Sequence, residues 1–146
     1  MQTLDQVKNK VQRLITTGYG DIRIDKDGDF IVKYESATVF VRVDENGEGE
    51  DKSYFLVFTC PMVKDVEIND DLCRFLALEC NYRFGHVELI PNKDSKVGWL
   101  YFVNTIMADD LDESEFKGGL LSVVFTAAEL DTNLQQKFGG VLFGED

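Results

Sequence analysis

His86 is the single histidine of the chain, and Cys60, Cys73 and Cys80 are its cysteines. Imidazole beside a thiol or hydroxyl is the arrangement that activates a nucleophile for acyl transfer. No serine or cysteine stands at a motif distance from His86, so the groups could meet only through the fold, and a partly exposed strand histidine is expected. Cys60 precedes Pro61 at a strand end, where Lys64 is the one local cation able to lower its pKa, so a catalytic thiol is not expected. The three cysteines are odd in number, lack a CxxC pair and lie in apolar segments, which reads as buried reduced thiols in a cytosolic protein.

"DKDGD", residues 25 to 29, spaces its carboxylates as a calcium loop does. Gly28, however, is fourth from Asp25, whereas an EF-hand needs glycine sixth and a closing glutamate twelfth. The segment also runs straight into a β-branched strand, so it reads as a hairpin turn. Gly139-Gly140 ends a helix and Gly118-Gly119 begins one without a lysine motif after it, so neither pair forms a phosphate loop. With 27 acidic residues in the chain, any one pair of carboxylates carries no information about glycoside chemistry. The expectation is a protein that is not an enzyme and has no cofactor, metal or catalytic residue.

The elements that would hold any site are read from periodicity. Leu4, Val7, Val11 and Leu14 recur at helical spacing over residues 3 to 16, and Gly18 and Gly20 stop that helix. "DIRIDKDGDFIVKYE" alternates about the Asp27-Gly28 turn and gives two short strands. "ATVFVRV" and "SYFLVFTC" pair across the acidic loop "DENGEGEDK". After Pro61, Asn69 or Asp70 caps a helix whose Leu72, Phe75, Leu76 and Cys80 share a face, with Gly85 as its end. "HVELIP" and "VGWLYFVNTIM" form a hairpin around "NKDSK", and Asp110 or Asp112 opens the last helix. The order α-ββββ-α-ββ-α, with hairpins instead of βαβ units, predicts an α+β fold: a mostly antiparallel sheet, with long strands at about 38 to 44, 53 to 60 and 97 to 106, and three packed helices.

A chain of 146 residues suits one domain, 1-146, with one core. Its net charge of -12 repels phosphate backbones and anionic headgroups, so neither nucleic acid nor membrane is an expected partner. Ten acids against four bases fall in residues 21 to 51, and the same tally in residues 92 to 146. The amino terminus is amphipathic, neither a signal peptide nor a membrane span, and a cytoplasmic location follows.

Asn81 with Phe84-Gly85, Asp110-Leu111-Asp112, and Leu130-Asp131 leading to Phe138-Gly139-Gly140 give the chain its family likeness. It resembles the YbjN-like and type III secretion chaperone-like family of small bacterial α+β proteins. The resemblance implies a non-enzymatic domain that binds extended peptide segments of a protein partner, frequently as a homodimer. An acidic inhibitor or immunity protein that neutralises a basic protein is the alternative that the charge suggests.

Two surfaces are candidates for partner binding. Trp99, Tyr101 and Val103 alternate onto one side of a strand, with Leu100 and Phe102 assigned to the helix-covered side. In "GGLLSVVFTAAELDTNLQQKFGG", residues Phe116, Leu120, Val123, Ala127, Leu130 and Leu134 can lie on the sheet, which leaves Leu121, Val124, Phe125 and Ala128 offset around the helix. That second face is expected to meet a second copy of the chain, to form part of a partner groove, or to lie under the tail "VLFGED".

Overall fold

Thr3 closes a capping box with Gln6, each side chain bonding the other's backbone N–H, and so starts helix α1 (Leu4–Gly18). Val7, Val11 and Ile15 are its buried stripe. The structure, a computed structural model, describes residues 2 to 144. Strands β1 (Arg23–Ile24) and β2 (Phe30–Tyr34) follow, joined by a turn in which the Asp25 carboxylate accepts from the amides of Asp27 and Asp29, both at 2.9 Å. The carboxylate therefore satisfies the turn's own backbone, as a hairpin requires.

Strand β3 (Ala37–Asn46) pairs with β4 (Ser53–Glu67), which runs well past the expected end near Cys60. Register shifts between Pro61 and Val63 and between Val63 and Val66 let β4 absorb a proline that has no N–H to give. Helix α2 (Asp70–Leu78) is capped by Asn69, whose side chain accepts from the Leu72 amide at 3.0 Å. It stops before Cys80, correcting the expectation that Cys80 lies on the helix. A two-residue strand β5 (Asn81–Tyr82) turns tightly into β6 (Gly85–Pro91). A side chain at Gly85 would strike the Val103 carbonyl, so this turn tolerates only glycine.

Strand β7 (Val97–Met107) leads to α3 (Glu113–Phe138), capped by the Asp112 carboxylate on the Glu115 amide at 2.7 Å. A last two-residue strand, β8 (Val141–Leu142), returns to β4. All pairings are antiparallel, and the sheet order is β1-β2-β3-β4-β7-β6-β5 with β8 on the edge of β4. The fold is the expected α+β arrangement of three helices and an antiparallel sheet, with the short strands β5 and β8 added.

All three helices pack on one face. Val39, Val41, Leu56, Phe58, Leu100 and Phe102 lie buried beneath them, whereas alternate residues Phe40, Phe55, Val57, Trp99 and Tyr101 point to the other face and stay half-exposed. Helix α3 packs on β4 with Gly119 against the ring of Phe58, which is 5.5 Å from that of Phe116.

A Cβ at Gly119 would stand 2.5 Å from the Phe58 ring, whereas one at Gly118 would meet nothing within 4 Å. Phe58 is fully buried and cannot swing aside, so Gly119→Ala should lower stability by about 1–3 kcal/mol. Gly118→Ala should raise it by up to about 1 kcal/mol through helix propensity alone. Urea unfolding of both variants checks the pair; equal effects would show that the approach to Phe58 does not constrain α3.

Candidate functional site

The outer wall of α3 borders a groove of about 820 Å³. Glu115, Gly118, Ser122, Phe125 and Glu129 recur every three or four residues, so this wall runs along the helix for about 21 Å. Ile106 and Met107 at the end of β7, with Tyr82 and Phe84 of the β5–β6 hairpin, form the opposite wall. Asn104 donates to the Ser122 hydroxyl at 3.0 Å and Ser122 donates to the Gly119 carbonyl at 2.8 Å, so the polar groups between the walls are paired. The apolar surface of the groove comes from Phe84, Met107 and Phe125, each at least half exposed, and Arg83, Glu115 and Glu129 add charge to its lining.

The four residues expected on the second face of α3 separate. Leu121 is half-buried and lines this groove, and Phe125, 52% exposed, forms the crest above it. Ala128 is exposed on the far side of the crest. Val124 differs from the expectation: it is 6% exposed and belongs to the core. A second cavity of about 430 Å³ lies beyond the crest, between α3, the β2–β3 turn and the tail, and Tyr34 meets the Phe125 ring edge-on at 6.4 Å.

Trp99 and Tyr101 stand on the face without helices, stacked at 5.8 Å with 11° between their planes. Leu100 and Phe102 point to the helices, as alternation requires. Val103, which shares the Trp99 side, is 5% exposed and offers a partner little area. Of the tail "VLFGED", expected as one possible cover for α3, residues 141 to 144 are described: Leu142, Phe143 and Gly144 line the second cavity with Val124 and Ala128, and the Phe143 ring also sits 5.9 Å from Trp99, a contact sequence reasoning did not foresee. Its signal was the apolar run Val141, Leu142 and Phe143 behind two glycines, which could equally have covered α3.

His86 is exposed on β6 in a shallow cavity with Arg42, Asp44, Glu88 and Thr105, and no serine or cysteine lines it. Cys60 and Cys80 are buried free thiols, the latter donating to the Leu76 carbonyl at 2.6 Å, whereas Cys73 is exposed, against the expectation that all three are buried. Helix α2 turns Leu72 and Phe75 inward and so turns Cys73 out. Burial, and next the charge of Asp131, push the Cys60 thiol up to about 12. No group of three or more metal-ligating side chains occurs among the described residues, and no helix there is long and apolar enough to cross a membrane.

A sheet covered by helices on one face leaves a groove on either side of its longest helix, the one toward the β5–β6 hairpin largely apolar and the one toward the tail of mixed character. The chain matches the family described as T3SS (YopN, CesT) and YbjN peptide-binding chaperone 1 over residues 5–146, and it belongs to that family. Among solved structures it is similar to the Yersinia pestis type III secretion chaperone SycH, crystallised in complex with a stable fragment of YscM2. The identity is 17%, covering 88% of this chain and 99% of that one, with a TM-score of 0.49. The search of curated proteins found no match.

Alkylation at neutral pH should modify Cys73 at once and leave Cys60 intact until the chain unfolds. The raised Cys60 pKa also makes stability fall with alkali, because the unfolded thiol ionises from its ordinary value of 9.0 while the folded one holds its proton to about 12. Within that window the loss approaches about 1.4 kcal/mol per pH unit for this group. Cys60→Ala should remove that part of the slope in pH-dependent unfolding; an unchanged slope would show that the thiol is not protected.

Proposed function

We propose that this protein is a non-enzymatic, cytoplasmic chaperone or adaptor that holds an extended apolar segment of a partner protein against α3. The observation that carries the reading is the groove between α3 and the wall made by β7 and the β5–β6 hairpin: about 21 Å of channel with exposed phenylalanine and methionine at its rim. A channel of that length accommodates about six residues of extended chain. Apolar side chains left in water on a folded monomer usually mark a site that another molecule covers. Membership of a peptide-binding chaperone family supports the same reading. Leu121 and Phe125 are the contacts we assign to the groove, while Trp99 and Tyr101 offer a second contact on the opposite face. The homodimer that the crest could also form would use Phe125 and Ala128 of each copy, with Val124 left in the core.

An array of overlapping peptides cut from unfolded proteins tests this directly. Labelled protein should select apolar segments and should retain them in molar salt, where the Debye length is about 3 Å. Phe125→Glu should weaken that selection by about tenfold and leave the protein folded, at a stability cost of about 1–2 kcal/mol for the covered half of the ring and its edge contact with Tyr34. Absence of selection, or its persistence in the variant, would remove the groove reading. Sedimentation of both proteins identifies the other occupant: a wild-type dimer that Phe125→Glu converts to a folded monomer assigns the crest to a second copy.

A further inference from the structure

The tail after α3 carries observations that the groove does not explain. Strand β8 pairs with β4 through two residue pairs only, Leu142 with Val63 and Val141 with Lys64, and the Phe143 amide donates to the Met62 carbonyl at 3.0 Å. Strand β3 covers the same edge of β4 as far as Thr59, so Cys60, Pro61 and Met62 lie between two pairing strands. The second cavity, about 430 Å³, opens there, lined by Ala37, Thr38, Pro61, Met62, Leu142 and Phe143. A strand longer than β8 would have somewhere to go.

The side chains of the tail alternate. Leu142 packs against the core, while Phe143 crosses β4 on the face without helices and meets Trp99. A strand serving only as an edge cover would gain most by burying its apolar side chains, yet Val141 and Phe143 each remain 37% exposed. Gly139 and Gly140 connect this short strand to α3, both at positive φ (79° and 84°), a conformation that glycine can leave and regain without steric cost. The tail is thus paired over two residues and anchored by an aromatic ring, and its hinge is Gly139, because Gly140 is held against the Lys64 carbonyl and accepts from Gln135 Nε2 at 3.3 Å.

We propose that residues 141–143 are an internal occupant of a strand-docking seat made by the β4 edge from Cys60 to Lys64 together with Trp99. The ligand of that seat is an extended partner segment carrying an aromatic residue where Phe143 now lies. The proposal rests on the peptide-binding reading and adds to it a second contact, closed by the chain itself until a partner strand displaces the tail. The tether acts as a competitor at roughly millimolar effective concentration, so segments lacking the aromatic anchor are rejected.

Trp99 is the only tryptophan of the chain, so its emission reports the seat directly. The full chain is compared with Phe143→Ser, using a fluorescein-labelled peptide of residues 139 to 144, "GGVLFG", as probe and a version with serine for its phenylalanine as control. The variant's Trp99 emission should shift to the red, and the variant should bind the probe about tenfold more tightly than the wild type, with the control peptide failing on both. Unchanged emission, or equal binding of the probe by the two proteins, overturns the proposal. So does a wild-type dimer that Phe143→Ser dissociates, since a second copy's tail would then fill the seat. Hydrogen exchange on the wild type needs no variant: the Phe143 amide should exchange about a hundredfold faster than those of Leu56 and Phe58, and equal protection refutes displacement. The emission of Trp99 and the exchange of the Phe143 amide report the tail and not the wall of Glu115, Gly118 and Ser122, so failure here leaves the groove of α3 standing, and failure of the peptide array leaves the tail result standing.

Discussion

The close approach of α3 to β4, with the bare backbone of Gly119 over the ring of Phe58, is the contact on which the rest of the arrangement depends. It sets the height of the helix above the sheet, and Phe116, Leu120, Val123, Ala127 and Leu134 then fill the space along it. A helix seated that closely over the middle of the sheet cannot also cover its margins. The end of β7 and the β5–β6 hairpin are left on one side of α3, and the β2–β3 turn and the edge of β4 on the other. Both cavities are therefore consequences of one packing decision. The exposed crest at Phe125 is what separates them.

Much of this was legible in the sequence because the signals are local. Asn69 and Asp112 cap their helices through their own side chains, and alternation in "GWLYFV" correctly sends Leu100 and Phe102 to the helices. What could not be read depends on distant partners. The two-residue strands β5 and β8 have no periodicity of their own and exist only because β6 and β4 offer an edge. Val124 looked free because helical spacing counts only contacts with the sheet, whereas the region beside it is closed by the β2–β3 turn and the tail. Cys80 shared the spacing of α2 but falls after its end, where its thiol still bonds the Leu76 carbonyl.

The tail shows the same limit from the other side. Its apolar run signals that it must dock somewhere, and hydrophobicity alone does not choose between the second face of α3 and the sheet. The choice is made by backbone geometry. Gly140 lies so close to β4 that a side chain there would strike the Lys64 carbonyl, and this approach places the following residues in register with Val63 and Lys64. Phe143 then reaches Trp99 across β4. Two glycines thus convert an unspecific apolar segment into a strand with one partner.

Charge has a different location and a different role. The ion pairs Arg42–Asp44 at 2.8 Å and Lys52–Glu45 at 3.6 Å lie in the open, where such pairs contribute little to stability. Crowding of the acids is visible at Asp29, whose carboxyl is held above its ordinary range by partial burial first and then by Asp25, against the opposing pull of Arg42. The fold is therefore held by its apolar core and carries its charge of -12 as a cost in self-repulsion. The acidic loop between β3 and β4 stands apart from the grooves beside α3, whereas Glu115 and Glu129 stand in the lining of the larger groove itself. For any partner segment, such a field would govern how fast it arrives, and the apolar area it buried would govern how long it stayed.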